Sequence, residues 1–129
     1  MATSFVLDAS ALLASLFDEP GAGVVDASLA EAVMSALNYS EVIARQVRSG
    51  EKLEAAIRNV DDLDLPIIPW DADLAREAGD LSTLAWTHGL SLGDRACLAT
   101  ARHLRRTVLT ADHDWALLPK LGIDIRIIR

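Results

Sequence analysis

Residues 3–14, "TSFVLDASALLA", decide how the rest of the chain is read. Ser4 to Leu7 is a short apolar run with the composition of a buried strand. It ends on an ionisable residue, Asp8, and helix-forming residues begin just beyond. One explanation is structural, because aspartate is a favoured helix N-cap. The other is chemical. If the strand belongs to a parallel sheet, Asp8 stands beyond its carboxyl end, where such sheets bind ligands.

The remaining sequence predicts such a sheet. A helix over 11–16 is broken by a turn at 18–21, and a second helix covers 23–30. Ala32–Ser35 reads as a strand. Residues 38–49 read as a helix with Tyr39, Val42, Ile43 and Val47 on one face and Gly50 as its stop. Helices over 51–63, 71–88 and 91–105 follow, with an extended pair, Ile67–Ile68, between two prolines. Thr107–Thr110 is a strand, 113–118 a short helix and 123–128 a last strand. Short apolar strands alternating with helices predict an α/β fold, a central parallel sheet flanked by helices on both faces. No repeat, low-complexity segment or linker divides the chain, so residues 1–129 read as one domain.

The net charge of −7 argues against a protein that coats nucleic acid nonspecifically, which needs cations to neutralise phosphates. It leaves room for a nuclease whose acids are clustered. The ten arginines against two lysines favour bidentate phosphate ligands where a backbone has to be held. A single cysteine, Cys97, cannot close an intramolecular disulfide and fits a reducing, cytoplasmic setting. Charges interrupt every apolar stretch before membrane-spanning length, and the N-terminus lacks a signal-peptide pattern. The apolar fraction of 51% is high for a small domain and predicts a covered surface, in an oligomer or with a partner.

Four acids stand out by location: Asp8, Glu41, Asp94 and Asp112. Each has a capping explanation. Asp8 precedes "ASALLA", Asp112 precedes "HDWALL", and Asn38–Glu41 and Ser91–Asp94 both have capping-box spacing. Taken together they gather at one edge of a parallel sheet, where four carboxylates repel one another unless neutralised. No lysine adjoins any of them; Lys52 and Lys120 lie elsewhere. A divalent cation is the simplest neutraliser, and oxygen donors without histidine or cysteine suit Mg²⁺ or Mn²⁺ rather than Zn²⁺.

The segments "VLDASALLA", "NYSEVIA", "LSLGDRACLATA" and "TVLTADHDWA" resemble, in order and spacing, the successive motifs of PIN-domain ribonucleases. They are most similar to the toxin subunit of VapBC toxin–antitoxin pairs, and the likeness runs from Val6 to Trp115. The resemblance implies a PIN-like α/β domain and metal-dependent endonucleolytic cleavage of RNA at an acidic pocket. It also implies inhibition by a VapB-like antitoxin, and toxins that pair as dimers. Asp8, Glu41, Asp94 and Asp112 fall on the family's acidic positions, and Ser10 and Thr110 on its small hydroxyl positions. Asp114 is an accessory acid. In this scheme Asp8 and Asp94 are core metal ligands, and Asp112 binds directly or through water. Glu41 ligates a second ion or orients the attacking water.

An acidic pocket also needs cations to hold RNA. Arg95, Arg102 and Arg106 have helical spacing, and Arg45 and Arg48 share the face of Glu41, so either row can serve phosphates. Both rows can equally be solvated surface, with Glu41–Arg45 an ordinary helical ion pair. His88, His103 and His113 show no metal-site spacing, and His113 reads as an exposed helix start. Trp70, Trp86 and Trp115 read as core or interface rather than base-stacking platforms, and Cys97 as inert core. Three other readings remain. A phosphoacceptor receiver domain requires a lysine at a late strand end, which Lys120 does not supply. A dehalogenase-type phosphatase requires an aspartate where Ser10 stands. A catalytically silent PIN-like binding module differs from the enzyme in keeping its effect when an acid is made an amide.

Overall fold

In the computed structural model the described residues are 4–119 and 121–129; Thr3 of the opening stretch and Lys120 lie outside them. Five strands form one parallel sheet: β1 (Phe5–Leu7), β2 (Ala32–Ser35), β3 (Ile67–Ile68), β4 (Thr107–Thr110) and β5 (Ile125–Ile127). Their spatial order is β3-β2-β1-β4-β5. From β1 the chain adds β2 and β3 on one side, then crosses to add β4 and β5 on the other. The topological switch point therefore lies between β1 and β4, which pair with Leu7 opposite Leu109.

The period of two along each strand sorts side chains into two cores. Phe5, Leu7, Ala32, Met34 and Leu109 face one side. There they meet α1 (Ala9–Leu16), α2 (Ala22–Ser28), α3 (Ala36–Arg48) and α4 (Leu53–Asp61). Val6, Val33 and Val108 face the other. They pack on α5 (Ala72–Asp80), on α7 (Leu92–Leu104) and on Trp115 in the 3-10 turn His113–Leu117. No helix among the described residues is long and apolar enough to cross a membrane.

Two elements differ from expectation in ways that matter. The helix expected over 71–88 is two: α5 ends at Asp80, Leu81 caps it, and α6 covers Ser82–His88. Gly79, Asp80, Ser82 and Thr83 are weak helix formers, and burial of Leu81 fixes the break. The helix expected to start at Asn38 starts at Ala36. Ser35, at the end of β2, is its N-cap and accepts a hydrogen bond from the Asn38 N–H. The Asn38–Glu41 pair is therefore not a capping box, and both side chains are free for other work.

Candidate active site

Asp8 occupies the N-cap position of α1 by backbone only. Its carbonyl accepts from the N–H groups of Ala11 and Leu12, while its side chain makes no cap hydrogen bond. The carboxylate turns instead across the switch point. Its Oδ2 accepts hydrogen bonds from Ser10 Oγ at 2.6 Å and from Thr110 Oγ1 at 2.9 Å. Each hydroxyl has one proton, spent here on Asp8, and accepts a backbone N–H in return. Ser10 takes that of Ala111 and Thr110 that of Asp112. Asp8 is 5% exposed, and burial pushes its carboxyl up to about 6. The two hydroxyls pull it down, and the charges of Asp94 and Glu41 push it further up.

Those two acids come from α7 and α3. Asp94 is the third residue of α7 and closes a capping box: Ser91 Oγ accepts its N–H, and its Oδ2 accepts the N–H of Ser91 at 2.9 Å. Glu41 lies one turn beyond Asn38, partly exposed, with its Oε1 accepting from Asn38 Nδ2 at 2.8 Å. Its carboxyl is raised by partial burial first and by Asp94 as well, against the Asn38 hydrogen bond. Asp112 caps the 3-10 turn, its Oδ1 accepting the N–H of Asp114, whose own carboxylate is exposed. Beneath the acids, Cys97 is fully buried. Burial, then Asp8, Asp94 and Glu41, hold its thiol well above the usual range.

Each of the four carboxylates thus has one oxygen tied by a protein donor and one that takes no hydrogen bond from the described residues. Open carboxylate oxygens are the kind of donor a hard cation takes. No three acids, imidazoles or thiolates among the described residues close into a cage around one ion. If these acids hold an ion, a set of this kind would suit Mg²⁺, which keeps several waters and takes only one or two carboxylates directly.

The arginines divide. Arg45 and Arg48 are exposed on α3, and the Glu41–Arg45 ion pair is not formed. Arg95 turns away along α7 to the carbonyl of Ala78 in α5. Arg102 pairs with Glu77 and Asp80 of α5. Arg106 is not on their helical face: α7 ends at Leu104, Arg105 turns left-handed, and Arg106 bonds the Glu31 carbonyl at the opposite edge of the sheet. Trp115 is core, but Trp86 is 90% exposed, so a core position for it is ruled out. His113 is exposed, its ring bonded to the Arg129 carbonyl. Sequence reading missed Asn38 and Gly93 as parts of the site. Asn38 is buried, and its Nδ2 also donates to the Gly93 carbonyl at 3.1 Å. Nothing in the local sequence signals that bond, which spans 55 positions.

The chain matches the family model of the PIN domain over residues 5–121. No curated protein matches the sequence significantly. Among solved structures it superposes on a chain of VapBC2 from Rickettsia felis bound to a DNA fragment from the pair's promoter. The TM-score is 0.74 at 16% identity, over 97% of this chain and 98% of that one. A toxin–antitoxin complex from Klebsiella pneumoniae gives 0.71 at 22% identity, over 98% of both chains. FitAcB from Neisseria gonorrhoeae gives 0.70 at 22%, over 96% and 97%. At such identities the likeness speaks for the fold, which all three share almost end to end.

Proposed function

Since the chain belongs to the PIN-domain family, we propose that it is a metal-dependent endoribonuclease and the toxin of a type II toxin–antitoxin pair. The observation that carries this reading is the Asp8 carboxylate. It is buried at the switch point, held by two hydroxyls and pressed by Asp94 and Glu41, an arrangement that costs stability unless it serves a cation. A divalent ion bound here would supply an activated water and charge to balance the phosphate. Asp8 and Asp94 would hold it, and Asp112 would do so directly or through water. Ser10 and Thr110 fix the orientation of Asp8, and Asp114 holds Asp112 in place through its backbone. Glu41 would take a second ion or orient the attacking water. Attack by water, not by the ribose hydroxyl, leaves a 5′-phosphate and a 3′-hydroxyl. Of the candidate arginines, Arg45 and Arg48 have no side-chain partner among the described residues and would meet the RNA backbone, whereas Arg95 must leave Ala78 to do so.

The substrate in this reading is an exposed RNA loop, of transfer or ribosomal RNA, because unpaired nucleotides can reach the acids at the carboxyl edge of the sheet. The Klebsiella structure is a complex with an antitoxin. By that analogy the partners here are a VapB-like antitoxin and a second copy of the chain, with Trp86, Leu117 and Leu53 as exposed apolar contact surface. The test is incubation of the purified, antitoxin-free protein with total RNA, with Mg²⁺ or Mn²⁺ and with EDTA, beside Asp8→Asn. Discrete fragments that require both metal and Asp8 are expected. A folded protein that leaves every RNA intact in Mn²⁺ overturns the reading.

A further inference from the structure

Asn38 is fully buried and uses its whole amide. Its Oδ1 accepts from Ser35 Oγ at 2.7 Å, while Nδ2 donates to Glu41 Oε1 at 2.8 Å and to the Gly93 carbonyl at 3.1 Å. Both partners of Nδ2 are acceptors only. A flipped amide would face an oxygen to a carboxylate and a carbonyl, so one orientation alone is satisfied. The amide thereby ties the end of β2, the Glu41 side chain and the first turn of α7 together.

Gly93 completes the arrangement. It lies in the first turn of α7 with no positive φ, so nothing in the backbone demands glycine. Space does. A Cβ there would stand 2.6 Å from Cδ of Glu41 and 2.8 Å from its Oε2. The carboxylate rests in the gap that the missing side chain leaves, at the positive end of a 13-residue helix and beside Asp94. Without the gap its nearest alternative is Arg45, four residues on along α3 and facing solvent.

We propose that Asn38 and Gly93 are positioning residues that cradle the Glu41 carboxylate against α7 and so set how tightly the acidic site takes a divalent cation. The inference rests on the nuclease reading above. Neither residue touches the cation in this scheme; both act through Glu41.

The experiment is calorimetric titration of Mn²⁺ into the protein and the variants Gly93→Ala, Asn38→Ala, Glu41→Ala and Glu41→Ala/Gly93→Ala. Alanine is the better helix former at position 93, so that variant keeps its fold, which a thermal melt verifies. Gly93→Ala and Asn38→Ala are expected to weaken Mn²⁺ about tenfold, the usual scale for residues that orient ligands. In the Glu41→Ala background Gly93→Ala should cost nothing further, since the group it displaces is gone. Wild-type affinity in Gly93→Ala, or a double variant that loses as much as both singles together, overturns the cradle and leaves the nuclease reading standing. A wild type that takes up no Mn²⁺ overturns both.

Discussion

A carboxylate held at about 6 inside a fold has a thermodynamic sign that can be worked out. The folded chain binds the Asp8 proton more tightly than the unfolded chain, whose aspartate titrates near 3.8. The contribution of Asp8 to stability is therefore fully present below about pH 4 and is lost as pH rises through about 6. Two units correspond to roughly 3 kcal/mol. Asp8→Asn keeps the acceptor for Ser10 and Thr110 and removes the charge. In metal-free buffer it should be more stable than wild type at pH 8, by up to roughly that amount. The gap should hold from pH 8 to about pH 6.5 and then shrink as pH falls through about 6 toward about pH 4. Urea unfolding across that range checks it, and a gap independent of pH would falsify the account. The same variant should cleave no RNA. Asp8 was legible because strand, acid and helix start are adjacent in sequence. The use of its side chain was legible only through the family resemblance, which puts Ser10 and Thr110 beside it: capping and cross-sheet bonding differ only in rotamer, and one donor, Thr110, is 102 positions away.

Helix starts carry the site, so losing a cap should have different consequences in different helices. Ser35 caps α3 and also holds the Asn38 amide, whereas Asp71 caps α5 by accepting the Leu74 N–H far along the chain from any site acid. Removing either cap should cost about 1 kcal/mol, and Ser35→Ala somewhat more because it strips a buried amide of its donor. Only Ser35→Ala should also lower the cleavage rate per folded molecule; Asp71→Ala should leave it unchanged. Denaturant melts with a single-turnover cleavage assay separate the two outcomes, and equal loss of activity in both sinks the argument. Gly79 gives an opposite case. A Cβ there meets nothing within 4 Å and its φ is not positive, so Gly79→Ala should stabilise α5 by about 0.5–1 kcal/mol, read as a rise in melting midpoint. The break after Asp80 was invisible to periodicity, because Leu74, Leu81 and Leu84 keep helical spacing across it. The shift of the α3 start by two residues was hidden because Ser35 and Asn38 are both good caps.

At the scale of the whole molecule the proposed activity raises the question of how an acidic protein holds a polyanion. Arginine spacing suggested a row along α7. The row fails because the helix stops at Leu104, and because Arg95 and Arg102 bind α5 instead. Spacing along a helix shows which residues share a face but not what packs against it; here α5 covers it. The parallel sheet and the edge that gathers the acids followed from strand composition and order, which belong to the chain as a whole. The destination of each cation depended on tertiary neighbours. The arginines should therefore separate by function. Arg102→Ala removes a partly buried pair between α5 and α7 and should lower stability by about 1 kcal/mol without changing RNA affinity per folded molecule. Arg45→Ala and Arg48→Ala should leave the melt unchanged. If they meet phosphates, each should weaken RNA binding and flatten the dependence of log affinity on log salt by about one unit. The measurement is RNA binding to the Asp8→Asn protein, which holds substrate uncut, over a series of salt concentrations. A salt slope altered by Arg102→Ala but not by Arg45→Ala would return the phosphate track to α7, and with it the direction in which RNA crosses the carboxyl edge of the sheet.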